Sequence, residues 1–176
     1  MRGFTLLELL VVISIMAILT IIAVPNFNKY SEDQKLNDAA SQLQSVLRQA
    51  QNNAQTGTVC NVSSGISKAT YWRVSLSKTS PANQFYSIGP FCETGLVTAQ
   101  QIDLPEGVTI YDLNLDSCTL AAVQIRYNNI NSEVSFFNLF CSDSVNAKLE
   151  IKLNSTGTAL NKTVVVEKGG GIYVKQ

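Results

Sequence analysis

The chain has 176 residues, with 13 basic and 13 acidic side chains and no histidine. One domain, or one domain plus an anchor, fits this length, and the balanced charge supplies no global field for nucleic acid or anionic lipid. The missing histidine excludes Ser-His-Asp catalysis, HExxH zinc sites and most imidazole acid–base chemistry. There is also no G-x-S-x-G, no phosphate loop and no close acid pair on a predictable element, so the chain reads as a non-enzyme without metal or cofactor.

The first element is the run Leu6–Val24, apolar except for Glu8, Ser14 and Thr20. As a helix its 19 residues reach about 28 Å, close to the hydrocarbon thickness of a bilayer. A cleaved secretory signal fits less well. Its apolar core is shorter, and Ala23-Val24-Pro25 is a poor cleavage site. Arg2 on the amino side predicts a single pass with the body translocated. Glu8 is the anomaly, since a carboxylate at mid-membrane costs about 2.5–3.5 kcal/mol on insertion scales. It is either a snorkelling acid at the cytoplasmic interface or a charge awaiting a cation from another chain.

The stretch Arg2-Gly3-Phe4-Thr5-Leu6-Leu7-Glu8-Leu9-Leu10 resembles the class III signal of type IV prepilins and type II secretion pseudopilins. The resemblance implies that a prepilin peptidase cuts between Gly3 and Phe4 and N-methylates Phe4. It implies that Glu8 pairs with the amino group of Phe4 of a neighbouring subunit. Phe4, Glu8 and Pro25 are then assembly residues, with Pro25 and Phe27 matching the "AVPNF"-like end of the family's segment. Residues 1–3 become a leader and 4–28 a span that doubles as the filament-core half of a helix. The implied partners are other pilin subunits, the peptidase, the inner-membrane assembly machinery and, before assembly, the cytoplasmic membrane. The final location is an extracellular pilus.

Pro25 predicts a kink rather than an end, because its ring removes one hydrogen bond and clashes with the preceding turn. Beyond it Leu36, Ala39, Ala40, Leu43, Val46, Leu47, Ala50 and Ala54 follow helical spacing, opposite Asp33, Lys35, Gln42, Gln49 and Asn52. Residues 29–56 are thus an amphipathic half that packs on the following domain, and Gly57 stops it. A helix over Phe4–Thr56 would be roughly 80 Å long.

Residues 57–176 read as a β-rich body. Short runs at 58–62, 70–77, 84–91, 108–115, 120–127, 133–141, 147–153, 163–168 and 172–175 are separated by turn signals, with no βαβ rhythm. The fold class is α+β: a long N-terminal helix packed on an antiparallel sheet. Four widely spaced cysteines behind a membrane segment predict disulfides formed outside the cytoplasm. Three connectivities are open. Folding 120–141 as a hairpin about Ile130 brings Cys118 towards Cys141, which leaves Cys60 for Cys92.

The body is also similar to the GspH/FimT minor pilins, through Leu43–Gln55 (with its Arg48 displaced from that family's pattern), Thr70–Leu76 around Trp72, and Ile151–Ala159 with Gly157. This implies a minor pilin. The alternatives are a DNA- or surface-binding tip pilin and a minor type II secretion pseudopilin. For DNA, Lys148, Lys152 and Lys162 are weak candidate contacts, since the turn that carries arginine in FimT-like proteins is here Ser155–Ala159. Asp112-x-Asn114-x-Asp116 starts like a Ca²⁺ loop but lacks its glycine and closing glutamate, so a strand is expected. Trp72 is expected in the core, and the sequons at Asn61, Asn154 and Asn161 are expected to be polar loops.

Overall fold

A computed structural model describes residues 4–57, 59–62, 65–92, 97–116, 118–128, 133–138, 141, 147–157 and 159–175, with side chains for all of these except 21–28, 59, 61, 62, 65 and 66. One helix, α1 (Leu6–Gln55), runs for 50 residues, or about 75 Å, and does not end at Pro25. It ends where expected. Thr56 is its C-cap, and Gly57 adopts φ +65, a left-handed conformation that costs glycine little.

Leu36, Ala39, Ala40, Leu43, Val46, Leu47, Ala50 and Ala54 are all buried. Gln42, Gln49 and Asn52 are exposed, and Asp33 and Lys35 are half-buried. The alanines in this stripe let strands approach the helix backbone closely. Four polar side chains fix the packing at its margins. Ser155, itself buried, donates its hydroxyl to the Glu32 carboxylate. Gln44 Nε2 and Arg48 Nη2 both donate to the Ile172 carbonyl, at 3.0 and 3.4 Å, and Gln51 Nε2 donates to the Gly170 carbonyl at 3.4 Å.

The body holds β1 (Val59–Val62), β2 (Gly65–Ser77), β3 (Phe85–Cys92), β4 (Gln100–Asp103), β5 (Val108–Leu115), β6 (Cys118–Thr119), β7 (Ala122–Asn128), β8 (Val134–Phe137), β9 (Lys148–Ser155), β10 (Asn161–Glu167) and β11 (Ile172–Lys175). Two sheets form where one was expected. The first has the order β4-β3-β2-β7-β8, with β1 on the start of β2; the second has the order β11-β10-β9-β5-β6. All pairings are antiparallel among the described residues. The reason for two sheets is geometric. A helix presents only a narrow apolar stripe, whereas so many strands laid side by side would leave most of one face uncovered. Two sheets closing on the same stripe bury both inner faces. Val74, Leu76, Val123 and Ile125 from the first join Ile110, Leu113, Leu149, Ile151 and Val164 from the second in one core cluster with α1. Tyr86 and Tyr127 bring phenol groups into this core without a hydrogen-bond partner. Burial pushes Tyr86 up to about 12 and Tyr127 higher still.

β4 and β6 escape sequence detection because Gln-Gln-Ile-Asp has no apolar alternation and β6 has two residues. Asn154 and Asn161 lie in strands, opposite one another, rather than in loops. Asn61 likewise lies in β1.

Two disulfides are formed, Cys60–Cys92 and Cys118–Cys141, each with a Cα–Cα distance of 6.3 Å. The hairpin behind the second is β7–β8, with Tyr127 opposite Val134; its turn at Ile130 lies outside the described residues. Cys118 does not belong to that hairpin. It sits in β6 of the second sheet, and Cys141 lies beyond the end of β8, so the bond does not join two facing residues of one hairpin. Among the described residues no helix is long and apolar enough to cross a membrane, and the span expected over Leu6–Val24 runs past the described side chains. The described side chains of that run end at Thr20, and Leu6–Thr20 covers about 22 Å, short of a hydrocarbon core of about 30 Å.

Two consequences can be measured on the full chain in detergent. Leu43→Ala removes a fully buried side chain from the centre of the stripe and should cost about 2–5 kcal/mol in denaturant unfolding. The Ser155 hydroxyl, the largest influence on Glu32, holds its carboxyl below the usual 4.5, helped by Lys35. A depressed acid stabilises the fold above its unfolded pKa and loses that contribution as pH falls through the folded value. Ser155→Ala should therefore lower the melting temperature at pH 7, and its deficit against wild type should shrink below pH 4.5.

Candidate assembly site

The amino terminus of α1 begins with a reciprocal pair of residues. Thr5 is the N-cap, with φ −76 and ψ 150, outside the helix. The Glu8 amide donates to Thr5 Oγ1 at 3.3 Å. In return, Glu8 Oε2 accepts from the Thr5 amide at 3.1 Å and from Thr5 Oγ1 at 3.0 Å. This is a capping box, which satisfies amide groups that the first turn otherwise leaves open. It also puts a carboxylate at the positive end of the helix dipole. Glu8 therefore has a local partner, where the sequence suggested only a snorkelling acid or a charge waiting for another chain. Thr5 is the functional residue missed at that level, although Thr-x-x-Glu ahead of an apolar run is the signature of such a box. Both Thr5 bonds fall on Oε2, and Oε1 makes no hydrogen bond or ion pair among the described residues.

Beyond the box the helix is apolar on every side. Phe4 is 78% exposed, Leu6 82%, Leu7 73% and Met16 65%, and large apolar side chains are exposed from there to Leu19. The two hydroxyls within the run turn inward. Ser14 Oγ donates to the Leu10 carbonyl and Thr20 Oγ1 to the Met16 carbonyl, both at 2.8 Å. Neither offers a free donor to its surroundings, so Glu8 is the one ionisable group in the described part of this surface. A helix apolar all round is not stable against water and needs an apolar environment or other helices around it.

Phe4 directly precedes the N-cap and lies outside the helix. Gly3, and with it the expected scissile bond, lies outside the described residues, as does the side chain of Pro25.

The other residues singled out by sequence lie on the body. Lys148 pairs with Glu167 at 3.0 Å, Lys152 with Asp112 at 3.5 Å and Lys162 with Asp33 at 3.8 Å. Each candidate DNA contact is thus already beside an acid. Asp112 accepts from Asn114 Nδ2 at 2.8 Å and also faces Lys78 at 3.6 Å. Burial pushes its carboxyl up, but Asn114, Lys152 and Lys78 outweigh this and hold it below the usual range. Among the described residues no group of acids, cysteines or histidines is arranged to hold a metal ion. Trp72, expected in the core, is only half-buried and packs against it.

Comparison with known proteins agrees with the amino-terminal geometry. Residues 1–24 match the family described as the prokaryotic N-terminal methylation motif. The chain is also 44% identical over 45 residues to the type IV major pilin protein PilA of Myxococcus xanthus (strain DK1622). That similarity covers 26% of this chain and 20% of the relative. No solved structure matches the chain.

Removing the cap tests the box. Thr5→Ala should destabilise the first turn by about 1 kcal/mol. Faster amide exchange at residues 6–9, with unchanged exchange in the strands, is the expected result.

Proposed function

We propose that this protein is a type IV pilin-like filament subunit, structural rather than catalytic. The observation that carries the proposal is the methylation motif over residues 1–24, which takes in the start of an exposed apolar helix segment whose first turn holds a lone carboxylate. The precursor is held in the cytoplasmic membrane by residues 4–28 with the body outside. It is cut between Gly3 and Phe4 by a prepilin peptidase and methylated at Phe4. The inner-membrane machinery then passes it into an extracellular filament. Residues 29–56 and the β-rich body 57–176 form the outward-facing part.

The capping box suggests how one acid serves both the subunit and the assembly. Oε2 of Glu8 closes the subunit's own first turn. Oε1 is left for a cation, and cleavage creates one, the Phe4 amine. Methylation keeps that charge. A neighbour's amine at Oε1 would compensate a carboxylate that is costly in an apolar setting, which favours the bundled helices over the isolated one. Pro25 belongs to the same packed segment.

A minor subunit is favoured by the likeness of the body to GspH/FimT pilins. A tip pilin that takes DNA through Lys148, Lys152 and Lys162 gains no support from three lysines already in ion pairs. A pseudopilin of a type II secretion system shares every amino-terminal feature. A deletion strain separates the machines: lost or shortened surface filaments support the pilus, and retained filaments with failed protein secretion support the pseudopilin.

Glu8→Gln separates the two tasks of the side chain. An amide oxygen can still close the capping box, whereas the charge is gone. The variant should insert, be cleaved and keep its first turn, yet enter filaments at well under a tenth of the wild-type level. Normal incorporation of Glu8→Gln would refute the pairing role while leaving the cap in place.

A further inference from the structure

The outer face of the first sheet carries two arginines side by side. Arg73 of β2 and Arg126 of β7 stand directly opposite each other in register. Like charges in that relation repel. Six lysines each lie within 4 Å of a carboxylate: Lys35, Lys78, Lys148, Lys152, Lys162 and Lys175. Neither arginine has such a partner among the described residues. Glu133, on the same side of the hairpin beside Asn128, makes no ion pair with them.

Arg126 is nevertheless held firmly. Its guanidinium lies 3.8 Å from the Phe137 ring centroid and 5.0 Å from that of Tyr71. Tyr71 in turn stacks on Phe91, at 4.7 Å and 8°. Nη2 donates to Gln124 Oε1 at 3.2 Å, and Nε is buried without a partner. The buried Nε is out of a ligand's reach, so a carboxylate would meet the outer edge of a planar cation whose orientation is fixed.

Beside this pair lies an open groove of about 430 Å³. Its lining is mostly apolar and includes the rings of Phe85 and Phe137, with Ser75, Ser77, Ser87 and Gln124 in its polar rim. No ionisable side chain lines it. Hydroxyl and amide groups between two aromatic rings suit a ligand with a polar rim and an apolar face, as a pyranose has. Two other occupants fit less well. A run of nucleobases needs successive open rings to stack on, but Tyr71 is engaged by Phe91 and Arg126 and Phe137 carries Arg126, which leaves Phe85 alone among these rings. An extended peptide needs free backbone groups at a sheet edge, but both arginines and the groove's serines and Gln124 sit on β2, β3 and β7, interior strands paired on both sides; of the edge strand β8 only Phe137 reaches the groove.

We propose that this face binds an acidic polysaccharide, with a uronate carboxylate at Arg73 and Arg126 and the sugar ring in the adjoining groove. The inference does not rest on filament assembly, because every residue in it lies on the body.

The test uses the full chain in a non-ionic detergent, titrated calorimetrically with an oligogalacturonate. Parallel titrations use a neutral oligoglucan of the same length, a single-stranded oligonucleotide and an acidic peptide. The uronate should bind, more weakly as salt rises, and at least roughly tenfold more tightly than the neutral sugar. Arg73→Gln should weaken it about tenfold while leaving the Arg126 sandwich in place. Ser87→Trp should abolish binding with both arginines retained, and Lys152→Gln should change nothing. Thermal melts of each variant report whether the body is folded. No uronate binding, equal binding by a folded Arg73→Gln variant, or tighter binding of oligonucleotide or peptide would each overturn the proposal.

Discussion

The body depends on a single strip of helix. Both sheets are apolar on their inner faces, and neither could leave that face in water. Both close on the line from Leu36 to Ala54 of α1. The four alanines in it keep the distance short, and the leucines and Val46 fill the space between. Because the apolar strip stops at Leu36, with Glu32 and Asp33 tied to the body just before it, the first turns of α1, exposed up to Thr20, gain nothing from the body. They must find their surroundings elsewhere, and their exposed leucines and isoleucines set what those surroundings can be.

The two halves of α1 solve the same problem differently. In the packed half, polar side chains flank the strip and donate to carbonyls near the carboxyl terminus of the chain. Among the described side chains of the free half up to Thr20, the polar ones are turned back on the helix itself, Ser14 and Thr20 onto carbonyls and Glu8 onto Thr5. That leaves a surface that makes few directional demands on its neighbours. Packing there is set by shape, with one oxygen of Glu8 as the exception.

The helical half of the fold is plainly legible in the sequence. All eight stripe positions are read correctly because helical periodicity and burial coincide there, and Gly57 marks the end. Val108–Leu115 and Ile172–Lys175 are also read to the residue, since apolar alternation is clear in one and Gly169–Gly171 bounds the other. What fails is what periodicity does not encode. Strand alternation reveals an inner face but not which sheet it belongs to, so the division into two sheets is invisible. The lysines look free in a list of residues because their acids, Asp33, Asp112 and Glu167, are far away in sequence. Arg73 and Arg126 carry no local signal at all; only the pairing of β2 with β7 brings them together. The capping box is the opposite case, written in four consecutive residues and obscured by the stronger claim of the apolar run around it.

The bond between Cys118 and Cys141 has a mechanical meaning. It ties the second sheet to the chain just beyond the last strand of the first, and the helix strip lies between the two. A pull along the free half of α1 would tend to draw the helix out of this cleft, and the easiest way to release it is for the sheets to part. A covalent strap opposes parting. The helix must then slide lengthwise against all its side-chain contacts at once, instead of peeling away from them in turn. Load applied at one end of the molecule is thereby shared along the strip, and the body behaves as a clamp whose jaws have been stitched together.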